Sequence, residues 1–203
     1  MGEGYGPMLV ATKKYTTDEI KKLRIAIPGT LTTAYLALKL FAPELTTTVV
    51  DFDKIISAVA SGEFDAGLLI HEGQLTYGND GLHKILDLGQ WWRTETGLPL
   101  PLGGSAIKRS LGPEVMLTTN NAVRDSIKFA LDNREAALDY AMQFARDLDP
   151  NLANRYVGMY VNHRTLDYGN DGREAIRRIL EMGYERGIIP IKPKVDFQTD
   201  FIG

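Results

Sequence analysis

Apolar residues along this chain fall into short blocks separated by charged, glycine-rich or proline-rich stretches, and their spacing changes character near residue 105. Met8-Leu9-Val10-Ala11 follows the turn-forming Gly4-Tyr5-Gly6-Pro7 and reads as a strand. The polar run from Lys13 to Lys22 suits a surface loop or a short helix around Asp18 to Lys22. Leu23-Arg24-Ile25-Ala26-Ile27 predicts a second strand, closed by Pro28-Gly29. Thr30 to Thr33 offers N-caps for a helix from about Ala34 to Phe41, which Pro43 ends. The unit then repeats: Thr47 to Phe52 is β-rich, and Asp53 is placed to cap a helix carrying Ile55, Ile56, Val59 and Ala60. Gly62 stands where a glycine would stop that helix. Ala66-Gly67-Leu68-Leu69-Ile70 is continuously apolar, as in a strand buried on both faces of a parallel sheet. Leu23 to Ile70 therefore predicts a βαβαβ unit with right-handed crossovers.

Gly78-Asn79-Asp80-Gly81 marks a turn, and Leu82 to Leu88 predicts another short strand. From Trp91 to Gly104 the pattern is neither helical nor alternating, and Pro99 and Pro101 favour extended backbone. That stretch reads as a linker between lobes, entering a strand near Ser105-Ala106-Ile107. Beyond it the period is helical. Val123, Ile127, Ala130 and Leu131 share one face, and Asp132 to Glu135 reads as a break and a capping box. The next helix turns Ala137, Leu138, Ala141 and Phe144 inward, another opens at Pro150 and runs through Tyr160 and Val161, and Asp171 to Glu174 caps a last one carrying Ile176, Ile179, Leu180 and Tyr184. Gly187 ends it, and the tail from Ile188 is extended.

Composition narrows the function classes. The 203 residues are 44% hydrophobic and 24% charged with a net charge of −3, which suits a packed core and gives no basic face for nucleic acid. No apolar run is long enough for a membrane span, and the start at Met1 shows no export signal, so a cytoplasmic location is expected. Cysteine is absent, and none of His71, His83 and His163 lies three or four residues from another, so neither a thiolate site nor a helical His-metal site is expected. No P-loop, G-x-S-x-G or G-x-G-x-x-G occurs, and glycine-rich Gly2 to Gly6 follows no strand, so no nucleotide role attaches to it.

Ligands of open α/β sheets gather at the carboxyl ends of the strands, and two such ends can be placed here. The first, Pro28 to Thr33, is either an anion or carboxylate cradle at a helix N-terminus or an ordinary capped turn. The second is Ile70-His71-Glu72-Gly73-Gln74. Imidazole titrates near neutrality, so His71 there is a candidate general base; the alternative is a loop histidine bonded to backbone. Neighbours on an extended segment point oppositely, so Glu72 is expected to face solvent. His83 and His163 read as surface residues, and Trp91-Trp92 as pocket wall or core.

The runs Gly67 to Tyr77, Asp87-Leu88-Gly89-Gln90-Trp91-Trp92 and Thr96 to Gly103, with Ile27-Pro28-Gly29, Thr32-Thr33-Ala34-Tyr35, Gly4-Tyr5-Gly6-Pro7 and Tyr160-Val161-Asn162, resemble the 1,4-dihydroxy-6-naphthoate synthases. Chorismate dehydratases share that family's fold but not these runs. The resemblance implies an α/β, periplasmic-binding-protein-like (type II) fold of two lobes around a ligand cleft. It implies a lyase of menaquinone biosynthesis that cleaves cyclic dehypoxanthinyl futalosine without metal or organic cofactor. On it, His71 is the base, and Thr32, adjacent Thr33 and the backbone around Ile70 bind the substrate. The partner implied is a small molecule, with no nucleic acid and no membrane.

Members of the family carry a segment ahead of the Gly4-Tyr5-Gly6-Pro7 equivalent, with a Ser-Pro-Cys-Pro-Asn-Asp-Thr motif. Its lack here implies an incomplete first lobe. The expected division is a second lobe from 13 to 100, with 1–12 and 101–203 giving the remainder of the first lobe and the C-terminal helices. An exposed sheet edge would favour a homo-oligomer. The alternatives are a solute-binding protein of the same fold and a chorismate dehydratase.

Overall fold

A computed structural model describes residues 1–144 and 149–197, so the expected extended tail past Phe197 lies outside the described residues. Five strands form one sheet in the order β3-β2-β4-β1-β5. These are β1 (Met8–Ala11), β2 (Arg24–Ile27), β3 (Thr46–Val49), β4 (Ala66–Leu69) and β5 (His83–Asp87). The ten helices among the described residues are α1 (Thr17–Ile20), α2 (Thr33–Phe41), α3 (Ile55–Ala60), α4 (Gly73–Thr76), α5 (Leu88–Thr96), α6 (Pro113–Asp132), α7 (Arg134–Met142), α8 (Pro150–Tyr160), α9 (His163–Leu166) and α10 (Gly169–Glu185).

The centre of the sheet follows from alternation along its strands. Ile25 and Ile27 of β2 face one side with Leu9 of β1 and Leu68 of β4, where α2, Trp92 of α5 and Ile179 of α10 cover them. Ala26, Val10 and Leu69 face the other side, against Ile55 and Val59 of α3. Every residue of β4 is buried, as its apolar run predicts. α3 lies so close that a Cβ on Gly67 would sit 2.4 Å from the Ile55 Cγ2, which explains the glycine in a buried strand. The edge strand β3 is short and threonine-rich, with only Thr47 partly covered, which makes it a poor template for further pairing.

The predicted βαβαβ unit is present: β2 pairs in parallel with both β3 and β4. The sheet as a whole is mixed, because β1 pairs antiparallel with β4 on one side and β5 on the other. A strand from the segment 1–12 thus lies inside the sheet formed by residues of 13–100.

Several expectations need correction. Residues 91–96 of the expected linker belong instead to helix α5, which begins at Leu88. The carboxylate of Asp87 accepts from the backbone N–H of Gly89 and Gln90, and Gly97 closes the helix at φ 72°. Trp92 is fully buried and its indole N–H donates to the Pro99 carbonyl at 3.1 Å, so the core, not extended backbone, fixes this stretch. No strand forms at Ser105 to Ile107, where the side chains are largely exposed. Asp53 does not cap α3; it lies in a short 3₁₀ turn, and no side chain caps that helix. Asn133 separates α6 from α7 as expected, but its amide donates back to the Phe129 carbonyl, so there is no capping box. α10 begins at Gly169, ahead of Asp171, whose carboxylate is taken by Arg164 at 2.6 and 2.8 Å. Val123 and Phe144, expected inward, are 43% and 69% exposed.

Candidate functional site

Because β2 and β4 are adjacent and parallel, their carboxyl ends open at the same edge of the sheet. Both candidate loops leave from there, as the sequence predicts. After β2 the chain turns at Pro28-Gly29 and enters α2 with Thr32 as N-cap. The Thr32 hydroxyl accepts from the Tyr35 N–H at 3.0 Å and donates to the Gly29 carbonyl at 3.1 Å. Its first duty is therefore structural, holding the loop against the helix. Thr33, in the first turn of α2, is half-buried and its hydroxyl has no hydrogen-bond partner among the described residues.

After β4 the chain passes through Ile70 and His71 and bends into α4. Glu72 has helical backbone (φ −53°, ψ −24°), so the alternation expected of an extended segment does not apply to it. Glu72 lines the same hollow as His71 instead of facing away. That hollow has a volume of about 160 Å³, and Phe52, Asp53, Ile70, His71, Glu72 and Thr76 are among its walls. The structure thus joins Ile70 and His71 in one pocket, whereas Thr32 and Thr33 stand outside its lining, at the neighbouring strand end.

The His71 imidazole is half-buried between two elements remote in sequence. The Phe52 ring meets it edge-on with centroids 4.4 Å apart. On another side its Nδ1 lies 3.4 Å from the Tyr156 hydroxyl of α8. Tyr160, one turn further along α8, donates its hydroxyl to the Ile70 carbonyl at 3.0 Å. Gln74 of α4 is 3% exposed, and its amide N–H groups reach the Leu69 carbonyl at 3.1 Å and the Tyr160 oxygen at 3.3 Å. The Gln74 carbonyl oxygen is buried without a partner among the described residues. Burial is the main force pushing both the Tyr156 and the Tyr160 phenols above the usual tyrosine range, so both stay protonated at neutral pH.

Sequence reasoning placed His71 and Ile70 but not the residues that hold them. Tyr156 and Tyr160 are spaced i,i+4, so they share one face of a helix, and that much was available. That this face meets β4, some 85 residues away in sequence, was not. His83 is exposed at the start of β5, and the His163 side chain is 75% exposed, as expected of surface residues. Among the described residues no group of three or more His, Asp or Glu side chains is arranged to hold a metal ion. No helix among them is long and apolar enough to cross a membrane.

Comparison with known proteins addresses the chain as a whole. Residues 1–185 match a family model described as menaquinone biosynthesis. A 1,4-dihydroxy-6-naphthoate synthase from Streptomyces coelicolor is 40% identical over 196 residues, covering 94% of this chain and 69% of its own. A crystal structure of protein AF1704 from Archaeoglobus fulgidus superposes with a TM-score of 0.87 at 44% identity, over 93% of this chain and 70% of that one. The alkanesulfonate-binding protein SsuA from Xanthomonas axonopodis, bound to MOPS, superposes with a TM-score of 0.59 at 15% identity, over 98% of this chain and 69% of its own. That likeness concerns the fold alone, which is periplasmic-binding-protein-like.

Proposed function

Since the chain belongs to the menaquinone biosynthesis family, we propose that it is a lyase that forms 1,4-dihydroxy-6-naphthoate from cyclic dehypoxanthinyl futalosine, in the cytoplasm. The observation that carries the reading is the placement of His71: a half-buried imidazole in the wall of a hollow at the carboxyl end of a central strand. A neutral imidazole there takes a proton from the bound substrate, and the electron pair left behind drives the cleavage. Ile70 lines the same hollow, and its carbonyl accepts from the Tyr160 hydroxyl. Thr32 and Thr33 lie at the end of the adjacent strand β2, where a ligand larger than the hollow reaches them. Thr33, with its hydroxyl uncommitted, is the better hydrogen-bonding group of the pair. Glu72 lines the same wall as the imidazole and puts a carboxyl side chain within the hollow's lining.

The test is incubation of the purified chain with cyclic dehypoxanthinyl futalosine and detection of 1,4-dihydroxy-6-naphthoate by mass spectrometry. Formation of product at a steady rate supports the reading. Turnover of chorismate in a parallel incubation, with no naphthoate formed, contradicts it in favour of a dehydratase. Tight binding of the substrate without conversion contradicts it in favour of a binding protein.

A further inference from the structure

β4 is the middle strand of the sheet, and the main chain that carries His71 leaves it through Leu69 and Ile70. The carbonyls of these two residues are held by side chains from different helices. The Tyr160 hydroxyl of α8 donates to the Ile70 carbonyl at 3.0 Å, and the Gln74 amide of α4 donates to the Leu69 carbonyl at 3.1 Å. A carbonyl can only accept, so the acceptors themselves fix both directions. With its proton spent on Ile70, the Tyr160 oxygen accepts in turn, and Gln74 Nε2 reaches it at 3.3 Å. The three contacts close a clamp that joins α4 to α8 across the end of the strand. α8 is anchored from behind by Tyr5, whose hydroxyl donates to the Met159 carbonyl at 2.6 Å. The clamp has a cost. Turning the Gln74 amide over would set its oxygen against the Leu69 carbonyl, an acceptor like itself, so the orientation is forced. It leaves the Gln74 carbonyl oxygen buried without a partner among the described residues, which is destabilising. What the glutamine contributes in return is the grip of its N–H groups on the strand end.

We propose that Tyr160 and Gln74 are positioning residues, which hold the carbonyls of Ile70 and Leu69 from two sides and so fix where His71 stands in the hollow. Neither side chain is part of the hollow's lining, so each acts through the main chain of its neighbour and not by touching the substrate. The ring itself is met separately, by the Tyr156 hydroxyl 3.4 Å from Nδ1 and by the edge of Phe52. The inference rests on the reading of His71 as the base, but its structural half can be measured without any turnover.

The experiment compares Tyr160→Phe and Gln74→Leu with wild type by urea midpoint, by kcat and KM for naphthoate formation, and by ¹H–¹³C NMR of the histidine rings. The His71 signals are assigned through His71→Ala. In both variants kcat should fall roughly tenfold to a hundredfold with KM within about twofold, because a base displaced by a fraction of an ångström still lets substrate bind. Gln74→Leu also removes the unpaired oxygen, so its urea midpoint should stay close to that of wild type. The His71 ring signals should shift or broaden in both variants while those of His83 and His163 stay in place. Tyr5→Phe is the control: it loses a hydrogen bond to α8 without touching the strand end, and should lower the midpoint while leaving kcat within about twofold. Undiminished kcat in both clamp variants overturns the proposal, as do unmoved His71 signals. A loss of kcat in Tyr5→Phe as large as in Tyr160→Phe also overturns it, since loosening α8 anywhere would then suffice. Absence of turnover in wild type, with the His71 signals displaced in both clamp variants, counts against the lyase reading and leaves the clamp standing.

Discussion

Two neighbouring threonines divide structural work from the ligand contact proposed above. Thr32 has both its donor and its acceptor engaged at the start of α2, so Thr32→Ala should cost about 1 kcal/mol of stability through the lost cap. Thr33 has no such commitment. Thr33→Val keeps the shape and should raise KM roughly tenfold while leaving the urea midpoint unchanged. Equal effects of the two substitutions on stability would contradict this division. His71 was legible in the sequence because a histidine closing a long apolar run is rare and a strand end is where ligands gather. Glu72 was misjudged because the bend into α4 begins at that residue, and a single helical backbone angle reverses where its side chain goes. Tyr156 was not legible at all as a partner of His71, since its role depends on how α8 is placed against β4.

At the scale of elements, α5 is the instructive case. Its cap and its stop were both written in the chain, Asp87 before it and Gly97 after it, yet the two tryptophans and the later prolines obscured them. Burial of Trp92 within the core gives this helix more purchase than its weak local pattern indicates. Asp87 is 7% exposed, accepts from two backbone N–H groups and pairs with Lys84 at 3.3 Å. Asp87→Ala should therefore cost about 1–2 kcal/mol, measured as a lowered midpoint in urea with an unchanged slope. An unaltered midpoint would show that packing of Trp92 alone holds α5. The predicted units from Leu23 to Ile70 came through well because each strand is followed at once by a helix of opposite periodicity, and Gly62 stops α3 with φ 82°. The long helices after residue 105 were legible as helices, but not in their inward faces. Phe129 and Tyr140 stand 64% and 65% exposed, so apolar periodicity there does not mark a buried stripe.

For the whole molecule, the sheet order depends on pairing that no local pattern reveals. β1 enters between β4 and β5, joining residues about as far apart as Val10 and Lys84. The charge distribution makes a separate prediction about the limits of stability. Bonding to the Arg24 side chain and then its N–H holds the Asp65 carboxyl below the usual range, and the Arg164 guanidinium does the same for Asp171. Groups lowered on folding contribute stability above their unfolded pKa near about 4, and that contribution is lost as pH falls through the lowered value. Burial raises Tyr156, Tyr160 and Tyr168, so their contribution is full below about pH 10 and is lost as pH rises through the folded values. The carboxylates are partly exposed and screened by water, so the acid limb should be shallow. Calorimetry across pH should find Tm falling below about pH 4 and again above about pH 10. A Tm that holds steady to pH 3 would contradict the acid half.

The central claim joins fold, site and reaction in one side chain: His71, set at the carboxyl end of β4, takes the proton that starts the cleavage. The most direct measurement is kcat for naphthoate formation by His71→Ala against wild type, at saturating substrate and neutral pH. The ring is half-buried at a pocket wall and lies outside both core clusters, so the variant should keep its fold by circular dichroism. Its kcat should fall by a factor on the order of 10² to 10⁴, the usual worth of a positioned base, while substrate binding weakens far less. A folded His71→Ala that turns over at the wild-type rate would contradict the account.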